Sequence, residues 1–316
     1  MQSTHLFENK NIFTNAFQKI EINNVVKEIN ENGYFEFANA LTSEAISKIE
    51  KEAKTKLNIN QNKISGVYVE KQYYFTNLLT ISKTFYDFVT SKFVLETCEK
   101  HLGNSFRLKA LRYYETYGGH HMQWHTDNKT DKNFTHNIPG LIFIFYVSDV
   151  ENGQFQYIKG SHTWAGKKSY ADYSDSFINK NYKEKIKNFK LPKGSLIIYN
   201  TYGIHRAAPV FKNNFTRKSV FFQVDSEIEN SEPIILNTKF ITEMNNKISM
   251  FLGFGKPSNY EVFPKSSLNT LPLNKGLFYN LIKYVIYRFC KAIFKYFPKF
   301  IQRVIKKIRM EKTLTG

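Results

Sequence analysis

The sequence predicts a mainly β protein with flanking helices, a sandwich or jelly roll that ends in an amphipathic C-terminal helix. Three observations predict it. From about Phe106, short segments rich in aromatic and β-branched residues follow one another with turn signals between them: 106–116, 122–128, 141–148, 154–158, 195–199, 206–210 and 217–224. Runs such as Leu141-Ile142-Phe143-Ile144-Phe145-Tyr146-Val147 are too short and too stop-flanked for long helices, and many such segments at this spacing suggest a sandwich or jelly roll. Helical patterns precede this region, and a basic helical pattern closes the chain.

The elements follow in order. Residues 21–57 read as helix, short strand, helix: Val25, Val26 and Ile29 share one face, Gly33 stops the run, and Tyr34 to Phe37 is strand-like. Thr42 or Ser43 caps the next helix, whose Ile46, Ile49 and Ala53 keep helical spacing. A further helix runs from Ser91 to Leu102 and stops at Gly103, the residue type that tolerates a left-handed C-terminal turn. The stretch from Trp164 to Lys190 is polar and lacks strand alternation, so it reads as a functional loop or lid. In the tail, Leu277, Phe278, Leu281, Ile282, Val285, Ile286, Phe289 and Ile293 recur at helical spacing among Lys283, Arg288, Lys291 and Lys295, until Pro298 interrupts the run. The expected organisation is a jelly-roll domain over 1–235, a linker-like segment over 236–274 and a basic amphipathic tail over 275–316.

Bulk composition narrows the classes. With 42% hydrophobic and 16% aromatic residues, the chain has enough apolar surface to fold and is not a disordered protein. Cys98 and Cys290 stand far apart, in no metal or redox spacing, which fits a reducing, cytoplasmic setting. The first residues offer no apolar segment of the secretory kind, and no run of eighteen apolar residues suggests a spanning helix. A net charge of +18 raises the question of nucleic acid, but its distribution matters more than its sum. From Lys275 to Gly316 there are eleven Lys/Arg and one acid, Glu311, a net of +10, which leaves +8 on the first 274 residues. The basicity belongs to the tail.

Trp124-His125-Thr126-Asp127 carries the first chemical signal. In extended chain, residues i and i+2 face the same way, so His125 and Asp127 can converge on one ion. Imidazole with carboxylate suits Fe(II), and a third facial ligand leaves positions open for co-substrate and O2. Alone the pair is weak, because 8 His and 27 acids in 316 residues give about 0.7 such pairs by chance. His205, after the strand-like Gly194 to Tyr199, supplies a third donor. Arg217 then heads an otherwise apolar strand, where a guanidinium is costly to bury without an anion, and Ser219 shares its face. Metal donors followed by a carboxylate clamp form a rarer coincidence than either part.

Over roughly residues 21–225 the chain resembles the phytanoyl-CoA dioxygenase family of Fe(II)/2-oxoglutarate oxygenases. The residues that carry the resemblance are Glu31-Asn32-Gly33-Tyr34 through Leu41-Thr42-Ser43-Glu44, the ligand stretch Trp124 to Asp127, Asp149 to His162, and Gly194-Ser195 to His205 to Arg217. One departure is Lys159, where proline usually precedes the Gly160-Ser161-His162 turn. The resemblance implies a double-stranded β-helix of cupin-like type, with Fe(II) on His125, Asp127 and His205. It implies 2-oxoglutarate held by Arg217, aided by Ser219, with Tyr114 or Arg112 on the preceding strand reaching its other end. The co-substrate would leave as succinate and CO2 while a substrate C–H bond becomes C–OH. Asp127 matters here, because related halogenases vacate the carboxylate position for halide. No catalytic group beyond the metal centre is expected.

Plainer roles stand beside these. His125 and Asp127 alone could be a surface pair, Tyr114 and Arg112 could be core or edge residues, and His162 reads as part of a turn. His120, His121 and His136 lie near the ligand stretch and invite a loop or substrate role. The rival to an oxygenase is a catalytically silent jelly roll used for binding or membrane tethering. The expected partners are O2, a small-molecule or lipid-linked substrate, and an inner membrane face met peripherally through 275–316. Docking of the tail on protein is the main alternative, and nucleic acid is the weakest.

Overall fold

A computed structural model describes residues 12–59, 66–69, 72–75, 78–127, 139–164, 173–211, 215–226, 228, 231, 234–241, 245–256, 277–294 and 296–302. These form two compact units, Met1–Ser266 and Ser267–Gly316. The first opens with α1 (Ile22–Asn32), β1 (Tyr34–Phe37) and α2 (Ser43–Ile59). Val25 and Ile29 bury one side of α1, and Gly33 ends it at φ 89°, its N–H on the Ile29 carbonyl. A hairpin of β2 (Gly66–Val69) and β3 (Gln72–Phe75) and the short helices α3 (Leu78–Ile81) and α4 (Lys83–Val89) come next. In α5 (Lys92–Leu102), Ser91 caps the start by accepting from the Val94 N–H, and Gly103 (φ 87°) ends it.

The β region follows as β4 (Arg107–Tyr117), β5 (Gly140–Tyr146), β6 (Phe155–Ile158), α6 (Asp175–Tyr182), β7 (Ile186–Phe189), β8 (Leu196–Asn200), β9 (His205–Ala207) and β10 (Thr216–Asp225). Among the described residues two antiparallel sheets result, one of seven strands in the order β1-β8-β5-β10-β4-β3-β2 and one of three in the order β7-β6-β9. Period-two alternation decides what each face meets. Leu141, Phe143 and Phe145 of β5, Leu196 and Ile198 of β8, and Val220, Phe222 and Val224 of β10 pack in one core with the helices. There Phe88 of α4 sits against Phe145 and Phe222, with ring centroids 4.3 and 5.8 Å away. The alternate residues Ile142, Ile144 and Tyr146, with Ile197 and Tyr199, meet Phe155, Tyr157 and Phe189 of the smaller sheet in a second core. Helices, large sheet and small sheet therefore form three layers, and the space between the sheets is where polar chemistry enters.

Three segments differ from the sequence reading. Residues 122–127 form no regular strand among the described residues; isolated bridges join Trp124 to Tyr173 and His125 to His205. Of the segment expected as a lid, residues 165–172 lie outside the described residues, and the rest contains α6 and β7. Ser174 caps α6 by accepting from Phe177 N–H at 3.2 Å, and β7 pairs with β6. Within the segment expected to be linker-like, α7 (Asn246–Leu252) folds in the first unit, capped by Asn245 and Gly253. Its Phe251 and Leu252 are buried, with Phe251 against Phe106 at the foot of β4. The second unit contains α8 (Leu277–Phe294). No helix among the described residues is long and apolar enough to cross a membrane.

Candidate metal centre and anion pocket

His125 and His205 face one another across a hydrogen-bonded bridge, each N–H donating to the other's carbonyl at 2.9 Å. This closely paired backbone brings the rings to a centroid separation of 4.5 Å. Each ring is also locked the same way: His125 Nδ1 lies 2.7 Å from the Gln123 carbonyl and His205 Nδ1 3.0 Å from that of Gly203. A carbonyl can only accept, so both Nδ1 atoms carry the proton and both Nε2 atoms turn a lone pair the other way. Asp127 waits there, Oδ2 at 3.0 Å from His205 Nε2 and Oδ1 at 3.6 Å from His125 Nε2. Cis donors about 2.1 Å from one ion stand about 3 Å apart, so the spacing suits a facial triad. Among the described residues, these three are the His/Cys/Asp/Glu group that converges closely enough to hold a metal.

The backbone around the triad is fixed from several sides. Met122 N–H donates to Ala207 O at 3.1 Å, Asp127 N–H to Thr201 O at 3.3 Å, and Tyr173 N–H to Trp124 O at 2.7 Å. Trp124 is fully buried, its indole N–H donating to Asp175 at 3.1 Å while the Arg206 guanidinium stacks on its ring at 4.4 Å. Burial pushes the Asp127 carboxyl up, but His205, His125 and the Tyr199 hydroxyl more than offset it and hold it down at about 2. The carboxylate is therefore ionised at neutral pH, as a ligand must be.

Arg217 opens the other end of the site. It is buried in β10, donating to the Gly153 carbonyl and, from Nη2, to Thr116 Oγ1 at 3.4 Å. Its Nε has no hydrogen-bond partner. Burial lowers its pKa, and the groups that favour its charge are the Tyr146 and Tyr114 hydroxyls, with no carboxylate paired to it among the described residues. A buried guanidinium with neutral partners and a donor to spare is a receptor for an anion. Ser219 lies opposite Tyr114 and Tyr146 in the sheet, so the three hydroxyls form one row beside Arg217. The row and the triad line one cavity of about 230 Å³, with Ile144, Phe155, Phe221 and Tyr199 on its walls. Arg112 also lines it, donating from Nη1 to Tyr114 Oη at 3.0 Å.

Of the histidines considered from sequence, His162 lies 2.9 Å from the Asn30 carbonyl, outside the triad. His120 is buried, His121 is exposed, neither lines this cavity, and His136 lies outside the described residues. Tyr199 escaped the sequence reading. Its hydroxyl donates to Asp127 Oδ2 at 3.3 Å and stands 3.4 Å from His205 Nε2. The signal existed in the alternation of Leu196 to Asn200, but only the fold tells which face looks at the metal donors. Tyr199→Phe is expected to weaken Fe(II) binding about 10-fold, the low end for an outer-shell hydrogen bond, with little change in stability. Metal titration of the variant measures it, and an unchanged affinity would make the contact incidental.

Residues 29–219, more than half of the chain, match the family model described as phytanoyl-CoA dioxygenase (PhyH). Comparison with curated proteins gives no significant match. Among solved structures, SnoK, a non-haem α-ketoglutarate-dependent carbocyclase from nogalamycin biosynthesis, is similar at TM-score 0.51 and 13% identity, covering 66% of this chain and 85% of that one. The epimerase SnoN, solved with Fe3+, α-ketoglutarate and nogalamycin RO, is similar at TM-score 0.50 and 14% identity over 71% and 90%. HygX from Streptomyces hygroscopicus, solved with nickel, 2-oxoglutarate and hygromycin B, gives 0.48 and 11% over 64% and 86%. At these identities SnoK and SnoN share the fold.

Proposed function

We propose that this chain, which belongs to the phytanoyl-CoA dioxygenase family and is an Fe(II)- and 2-oxoglutarate-dependent oxygenase, hydroxylates an unactivated C–H bond of its substrate. The carrying observation is the pairing of two features in one cavity: two imidazoles and a carboxylate converging on a point, and a buried arginine with an unused donor. His125 and His205 present Nε2, and Asp127 gives the negative donor. Arg217 receives the distal carboxylate of 2-oxoglutarate, with Ser219 and Tyr114 able to donate beside it. When bound, iron and 2-oxoglutarate supply the oxidising power for C–H functionalisation, the co-substrate leaving as succinate and CO2. The chain's own contribution is to place these groups and keep water out. Phe155, Phe221 and Ile144 are apolar walls between the two anchors, and burial keeps the Tyr199 phenol protonated, so it donates rather than competes as a base. Asp127 fills the position that a halide would otherwise take, which favours oxygen transfer.

The substrate is read as a small molecule, or as one linked to a lipid that a cytoplasmic protein would meet peripherally at the inner membrane face. The test is to supply Fe(II), 2-oxoglutarate, O2 and metabolite or lipid pools, following succinate and product mass. Iron-dependent succinate with a product heavier by one oxygen is expected. Absence of iron-dependent 2-oxoglutarate turnover in every pool would overturn the reading. Turnover with a product that gains no oxygen would replace hydroxylation by another outcome, a ring closure or an epimerisation of the kind named for SnoK and SnoN.

A further inference from the structure

We propose that α8 is a membrane-surface helix that lies along an anionic bilayer, its aliphatic side in the acyl boundary and its basic side toward the headgroups. The inference extends the partner reading above and is independent of the iron site. At 1.5 Å per residue, eighteen residues make a rod about 27 Å long. Turned by 100° per residue, Ile282, Ile286, Phe289 and Ile293 fall on one side with Val285 beside them. Lys283, Tyr287, Arg288 and Lys291 fall on the other. Among the described residues of its unit nothing covers the aliphatic side: Val285 is 62% and Phe289 64% exposed, and beyond the helix Tyr296 and Phe300 are exposed as well.

Charge selects the occupant. No Asp or Glu occurs between Glu261 and Glu311, while Lys275 to Gly316 carries eleven Lys/Arg. A second copy of this chain could cover an aliphatic face, but it would bring another +10 tail and a body that is itself +8. Nucleic acid would meet the charge and leave the isoleucines and phenylalanines in water. An anionic lipid surface satisfies both sides at once, with tyrosines at the headgroup level. Since no described helix is fit to cross a membrane, the mode is peripheral.

The experiment is co-sedimentation of the full chain with vesicles of phosphatidylcholine alone and of phosphatidylcholine with one-third phosphatidylglycerol. Pelleting with the anionic vesicles and not the neutral ones, weakened by salt, is expected. The full-length triple variant Lys283→Gln, Arg288→Gln, Lys291→Gln keeps helix-forming side chains and should lower partition at least about tenfold, each cation near the surface contributing a several-fold factor. Phe289→Ser with Ile286→Ser should lower it comparably from the other side. Both variants are expected to keep wild-type iron binding, which separates failure of this proposal from failure of the oxygenase reading. A full chain that stays in the supernatant with anionic vesicles overturns the proposal. So does a concentration-dependent dimer that the Ile286/Phe289 variant dissociates, or capture of nucleic acid in preference to vesicles.

Discussion

Replacing Asp127 by alanine is expected to abolish tight Fe(II) binding and all turnover, and His205→Ala and His125→Ala should do the same. The reasoning is electrostatic as well as geometric. Asp127 is the one anionic donor of the triad, and both its oxygens are committed, one toward each imidazole Nε2. Without it two neutral rings remain, each held by a backbone carbonyl and unable to swing to compensate. Loss of an outer-shell partner costs about 10- to 100-fold in metal affinity, so loss of a direct donor should exceed the upper figure. The fold should survive Asp127→Ala and His125→Ala, because neither residue belongs to an apolar core, whereas His205→Ala also removes a ring packed on Phe155 and Tyr199 of the second core and should cost some stability. Metal content after gel filtration, with a thermal melt of the same sample, is the measurement. A folded Asp127→Ala protein with full iron occupancy would sink the assignment.

How legible this site was depends on which kind of contact is asked about. His125 and Asp127 could be paired from sequence because extended chain repeats every two residues, and the same rule placed Ser219 on the face of Arg217. The long strands 141–147 and 217–224 were also readable, since their hydrophobic character survives whichever side is buried. What sequence could not supply was the layer each face meets. Tyr199 and Ile198 are neighbours in one strand and both buried, yet one touches the metal donors and the other packs in the core shared with the helices. The backbone partner of Arg217 is beyond sequence reading for another reason: a carbonyl carries no residue signature. Gly153 serves because its φ of 63° and a Cβ position only 2.3 Å from Val210 exclude other residues there. The hairpin β2–β3, β7 and α7 were missed because each is short and polar-flanked, and is stabilised by pairing or docking rather than by its own periodicity.

Arg217→Ala is expected to raise the dissociation constant for 2-oxoglutarate by about 30- to several-thousand-fold, which corresponds to about 2–5 kcal/mol for removing one partner of a buried charged pair. Lysine should not rescue it. A guanidinium presents a planar fork that engages both oxygens of a carboxylate, whereas an ammonium is a single strongly hydrated point. Here the fork is also pre-aimed, since Gly153 O and Thr116 Oγ1 already hold two of its three nitrogens and leave Nε over. The stability of the ligand-free protein offers a second readout that a merely structural arginine would not match. Burying this cation away from water, with neutral partners alone, opposes folding until an anion arrives. Removing it should therefore change the ligand-free melting temperature little, while abolishing the rise that saturating 2-oxoglutarate gives the wild type. Titration of 2-oxoglutarate into the metal-loaded variant without O2, with parallel melts, decides the matter. An unchanged dissociation constant would show that the anchor lies elsewhere. A large loss of ligand-free stability with normal binding would make Arg217 a core residue rather than a receptor.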